Sequence, residues 1–108
     1  MMNQTTPPRV TIVVRDTGAS PMRQCDMSGT EMQIGRDEGD VRIEDGLVSP
    51  RHAAIELDEA GWPQLRDLGS SLGTFLNARL VAGPTPLHDG DEIRIGPAHL
   101  LVRIASGG

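Results

Sequence analysis

The stretch SPRHAAIELDEAGWPQLRDLGSSLGTFLN, residues 49–77, decides the class of fold. After His52, the residues Ala53, Ile55 and Leu57 alternate with Ala54, Glu56 and Asp58, which is the two-residue period of a strand. DEAG interrupts the pattern with turn-forming residues, and WPQLRDL then resumes it. Pro63 has no N–H to give to a ladder, so it marks an edge strand or a strand's first residue. Gly69 and Ser70 open a loop, and GTFLN ends the stretch as a further short strand. No window holds a 3.6-residue period, so the segment reads as strands and turns without a helix.

The same reading extends outward. In RVTIVVRD, residues 9–16, Val10, Ile12 and Val14 share one face while Thr11 and Arg15 share the other. TGASP breaks that strand. MRQCDM and EMQIG follow, joined at Ser28 and Gly29 in what reads as a hairpin. DEGD at 37–40 is a loop, VRI at 41–43 a short strand, and EDGLVSPRH an exposed connection turning at Asp45 and Gly46. Downstream, ARLVAGPTPLHDGD reads mostly as connection. Ile93 and Ile95, then Leu100, Val102 and Ile104, form two last strands around Gly96 and Pro97. Many short strands at close spacing predict an all-β sandwich or barrel of mainly antiparallel sheets. The expected organisation is a disordered N-terminal lead over 1–8, one folded domain over 9–105, and a flexible tail over 106–108.

Composition narrows the function. A chain of 108 residues is one domain, large enough to bury a core without disulfides or metal. With no Tyr, one Trp and one Phe, it has no stacking platform for single-stranded nucleic acid. A net charge of -5 argues against nonspecific duplex binding, because such affinity comes from neutralising phosphates. Cys25 is the single cysteine, read as a small buried strand residue, and a reducing compartment follows as the plainer expectation. The N-terminus lacks a signal-peptide core and the longest apolar stretches are too short to span a bilayer, so no membrane partner and a cytoplasmic location are expected. His88 and His99 lack metal-ligand spacing, and the acidic run from Asp37 to Asp45 lacks a calcium-loop pattern, so no metal and no cofactor is expected.

Three segments carry the chemistry: IGR at 34–36, SPRH at 49–52 and DLGSSLGTFLN at 67–77. They bring an arginine and several hydroxyls to the ends of strands. Such a set has many donors and no nucleophile with its base, so it fits the grip of a small dianion better than it fits bond breaking. By themselves the residues also admit ordinary readings. Arg36 beside Asp37, Glu38 and Asp40 is a solvated arginine, Ser49 and Ser71 are turn serines, and His52 is a buried, hydrogen-bonded core histidine.

Together the motifs resemble the forkhead-associated (FHA) domain over nearly all of the folded length. The resemblance rests on GR at 35–36, SxxH at 49–52, DLGSSLGTFLN where the family has a pattern close to DLGSTNGTFVN, and LHDGDEIRIG at 87–96. It implies an antiparallel β-sandwich of about eleven short strands, FHA/SMAD-like, whose loops at one end bind phosphothreonine peptides. Arg36 becomes the main phosphate ligand, with Ser49 and Ser71 as hydroxyl donors. Arg51 becomes a contact to phosphate or acidic peptide. Gly35, His52, Gly73 and Asn77 become structural supports of the site. The departure is Leu72, which stands where the family's usual asparagine grips the peptide main chain.

The chemistry of the ligand agrees. Phosphothreonine carries about −1.5 to −2 charges and offers only acceptors, so its site must supply donors and positive charge. The expected function is therefore a phosphothreonine-dependent adaptor in Ser/Thr kinase signalling, with no enzymatic activity and monomeric as an isolated domain. Its partner is a phosphothreonine-containing protein or a Ser/Thr kinase. A second reading is a phosphate-independent interaction module of the same fold, which Leu72 permits. A third, a hydrolase built on Ser49 and His52, lacks a nucleophile-elbow motif. Leu47, before SxxH, hints at an aliphatic preference beyond the phosphothreonine.

Overall fold

Alternating aliphatic and polar residues build two sheets that close their apolar faces on each other. The computed structural model describes residues 8–15 and 22–105. The strands are β1 (Arg9–Arg15), β2 (Arg23–Asp26), β3 (Glu31–Gly35), β4 (Val41–Arg42), β5 (Ala53–Leu57) and β6 (Pro63–Asp67), then β7 (Phe75–Leu76), β8 (Arg79–Leu80), β9 (Thr85–Pro86), β10 (Glu92–Ile95) and β11 (Ala98–Ala105). One sheet has the order β2-β1-β11-β10-β7-β8, the other β4-β3-β5-β6-β9. Val10, Ile12, Val14, Ile93, Leu100 and Val102 from the first sheet pack in one cluster with Met32, Ile34, Ile55 and Leu65 from the second. Each such burial stabilises by roughly 1.5–3 kcal/mol before conformational entropy is counted.

The eleven strands agree with what the family resemblance implies and the sandwich with the residue pattern as well, and among the described residues no helix occurs. Pro63 is the first residue of β6, which lies inside its sheet, so the missing N–H interrupts no ladder. Cys25 is half-buried and packs against the core.

One local expectation needs correction, and two further features add detail to the sequence reading. Ser28 and Gly29 do not join a hairpin. β2 pairs with β1 in one sheet, while β3 pairs with β5 in the other. The Met27 N–H still bonds to Val10, whereas the Thr30 carbonyl already accepts from Leu57, so the chain changes sheets within the turn. A turn dipeptide signals reversal but not the partner on the far side. Second, β4 runs parallel to β3, the single parallel pair among the described strands, which are otherwise antiparallel as mainly expected. Third, the segment 78–91 contains the short strands β8 and β9, which extend one edge of each sheet. The N-terminal lead apart from Pro8, the break after β1 and the tail at 106–108 lie outside the described residues.

Register places the functional loops. Ile34 is opposite Ala53, and Ala53 is opposite Asp67. The end of β3, the start of β5 and the end of β6 therefore line one rim. The loops at 36–40, 43–52 and 68–74 all leave from that rim. The β10–β11 turn joins them, since a Cβ at Gly96 would lie 3.0 Å from the Val48 side chain.

Candidate functional site

Gly35 sets the geometry because the SPRH loop passes directly over it. A Cβ there would lie 2.1 Å from the Pro50 carbonyl oxygen and 2.9 Å from that of Glu38, so only glycine admits this approach. The contact is fixed on both sides. The Arg36 N–H donates to Ser49 O at 3.0 Å, and the His52 N–H donates to Ile34 O at 2.9 Å. Arg36 is thereby held beside Ser49 at the end of β3.

The Arg36 side chain is 36% exposed. Its Nε donates to Asp37 Oδ2 at 3.2 Å and its Nη1 to Val48 O at 3.3 Å. A guanidinium has five N–H donors, so the rest of the fork stays available to an anion. Asp37 only partly offsets the charge, since an exposed ion pair is weak.

Ser49 links the loops. Its Oγ accepts from the Ser71 N–H at 3.1 Å, which leaves its own hydroxyl proton free to donate elsewhere. Ser71 is exposed, and its hydroxyl has no protein partner among the described residues. Arg36, Ser49 and Ser71 are thus brought together on three adjoining loops.

Beneath them lies His52, fully buried. The Ser49 N–H donates to its Nδ1 at 3.1 Å, so Nδ1 accepts and the ring proton belongs on Nε2. That Nε2 donates to Gly73 O at 2.8 Å. The neutral ring therefore ties the SPRH loop to the 68–74 loop. Both nitrogens are engaged, so no base faces the Ser49 hydroxyl, and the pair lacks the geometry of a nucleophilic couple.

Sequence reading missed Asp67. Its Oδ2 accepts from the N–H groups of Gly69 and Ser70 at 2.9 and 3.0 Å, and its Oδ1 accepts from the hydroxyls of Ser70 and Thr74. Partial burial pushes this carboxyl up, but the two hydroxyls and two amides together hold it below the usual aspartate value. Ser70 also accepts from the Gly73 N–H at 3.0 Å, so the serine pair divides its labour. Ser70 builds the loop while Ser71 faces outward. The signal was present as an aspartate two residues before a glycine, the pattern of an Asx-turn. Thr74, buried and bonded to Asp67, has no comparable signature.

The remaining predicted residues divide. Gly73 has φ +91, and its missing Cβ lets Leu80 pack 2.7 Å from that position. Leu72 is 55% exposed beside Ser71, and Arg51 is exposed on the SPRH loop. Asn77 is elsewhere: it sits in the β7–β8 turn at the far end of β7, bonded to Asp91 and Glu92. It braces β10 and does not touch the rim loops. Within the acidic run, Asp40 and Asp45 accept from the Gln33 and Leu47 N–H groups, which accounts for them as loop formers. Among the described residues no group of three or more His, Cys, Asp or Glu is placed to hold a metal, and no helix is long and apolar enough to cross a membrane.

A family model described as FHA domain matches residues 32–96, which takes in every one of these rim loops. The chain belongs to the FHA family. An FHA domain-containing protein of Arabidopsis thaliana is 36% identical over 72 residues, which cover 63% of this chain and 18% of that protein. The chain thus spans less than a fifth of that relative's length. A solved domain from a structural and functional analysis of phosphothreonine-dependent FHA domain interactions is 33% identical with a TM-score of 0.76, covering 88% of this chain and 95% of that one. The FhaA FHA domain, solved in complex with the intracellular domain of Rv3910, is 34% identical with a TM-score of 0.75, covering 87% and 99%.

Proposed function

We propose that this FHA domain, spanning residues 9–105, is a phosphothreonine-dependent peptide-binding adaptor in which Arg36, Ser49 and Ser71 hold the phosphate. The observation that carries the reading is the Ser49 hydroxyl, which accepts from Ser71 on one loop while its backbone carbonyl accepts from Arg36 on another. One guanidinium fork and two alcohol groups meet the demand of a dianion with acceptors only. The phosphothreonine-dependent interactions of the similar solved domain support it. The partner is a protein phosphorylated by a Ser/Thr kinase, or the kinase itself, with Arg51 as an added contact on the exposed rim. In a titration, Arg36→Ala is expected to abolish binding of phosphothreonine peptides, and unphosphorylated peptide is expected not to bind. Equal binding by the Arg36 variant would remove the proposal.

Leu72 favours a second reading. An exposed leucine has no donor or acceptor for a peptide main chain, yet it suits contact with a folded apolar surface. On that reading the domain is a phosphate-independent scaffold module, and partner capture persists after phosphatase treatment. Its loss on that treatment supports the first reading.

A further inference from the structure

Outside the rim, one row of side chains crosses the outer face of the six-stranded sheet. Register pairs Leu80 of β8 with Phe75 of β7, Phe75 with Arg94 of β10, Arg94 with His99 of β11, and His99 with Arg15 of β1. Their neighbours along each central strand, Leu76, Ile93, Leu100 and Val14, point into the core, so the row itself faces outward. At four strand spacings of about 4.8 Å it is roughly 19 Å long. It runs along the rim, because Arg94 and His99 are the second residue pair below the Gly96–Pro97 turn.

The row has an apolar end and a cationic end. Leu80 is 63% exposed beside the only phenylalanine. The Arg94 guanidinium lies 4.7 Å from the Phe75 ring centroid, a stacked position that holds the fork in place while leaving its N–H groups unpaired. Neither Arg94 nor Arg15 has a carboxylate partner among the described residues, whereas Arg66 pairs with Glu56 and Arg103 with Asp89. Among the described residues, the acid paired with the row is Glu92, 3.5 Å from His99 Nδ1. On a chain of net charge -5, this is a local reserve of positive charge.

The apolar end is continuous with the proposed phosphate site. Leu80 and Phe75 cover Gly73, whose carbonyl holds His52 and whose neighbour in sequence is Leu72. An extended segment leaving the phosphate past Leu72 would lie on Leu80 and Phe75 and then reach Arg94 and Arg15. We infer that this row receives an acidic, leucine-bearing flank of the same phosphorylated partner and so takes over the grip that Leu72 does not provide. The inference rests on the phosphothreonine reading above for its point of attachment.

The test compares a short phosphothreonine peptide with two longer ones that carry Glu, Asp and Leu residues on either flank, followed by fluorescence anisotropy. One extended peptide is expected to bind about three- to tenfold tighter, as two exposed ion pairs would give. The gain should vanish in Arg94→Gln and in Arg15→Gln with Arg94→Gln, while affinity for the short peptide stays unchanged. In parallel, the unphosphorylated acidic extension alone is titrated with amide shifts as readout. Movement at Phe75, Arg94 and His99 without movement at Ser49 and Ser71 supports the row even if the short phosphopeptide fails to bind, a failure that would count against the phosphate site alone. A gain that survives both substitutions, or no gain and no shift along the row, overturns the inference.

Discussion

The Ser49 side chain accepts the Ser71 N–H at 3.1 Å, so a residue of the SPRH loop fixes the height of a residue twenty-two positions later. Ser49→Ala removes this acceptor and a hydroxyl donor to the ligand together. A charged hydrogen bond contributes about 1.5–3 kcal/mol, so phosphopeptide affinity should fall roughly ten- to a hundredfold. Stability should drop by only about 1 kcal/mol in urea. Unchanged affinity with lowered stability would place Ser49 in the loop framework alone.

Gly35 offers a test of the close loop approach. In Gly35→Ala the new methyl would meet the Pro50 and Glu38 carbonyl oxygens, both backbone atoms, so a loop must move. The expected loss is about 1–3 kcal/mol in chemical denaturation, with a larger loss of binding because Arg36 and Ser49 separate. A variant that is as stable and binds as well as the parent would show that the approach is not required.

Asp67 predicts an acid limb in stability. Its carboxyl is more acidic folded than unfolded, because four donors outweigh the effect of partial burial. Such a group adds stability above its unfolded value and loses it as pH falls through the lower folded value. The urea midpoint should therefore be level near neutrality and decline below about pH 5. In Asp67→Asn the midpoint should be lower at neutral pH, since an amide cannot accept on its nitrogen side, and the acid decline shallower, since an amide does not titrate. An acid limb of equal depth in the variant would assign it to other carboxylates.

Leu72→Asn tests what the leucine withholds. One regained neutral hydrogen bond contributes about 0.5–1.5 kcal/mol, so a short phosphothreonine peptide should bind about two- to tenfold tighter by calorimetry. The exposed position predicts no change in melting temperature. Affinity left unaltered would mean that the peptide main chain does not pass this residue.

Alternation of aliphatic and polar residues determined the long strands of this chain, because the inward side chains of Arg9–Arg15, Glu92–Ile95 and Ala98–Ala105 leave a period of two. Motif spacing likewise marked Gly35, Arg36, Ser49, His52 and Ser71 as one set. Only the tertiary structure decided which strands became neighbours: β2 and β3 look like a hairpin in sequence but belong to opposite sheets, since pairing depends on what lies across each edge. It also separated Ser70 from Ser71, revealed Asp67 and Thr74 as the frame of a loop, and set Asn77 apart from the rim. Those roles come from distances between residues remote along the chain, and a linear pattern carries no such distances.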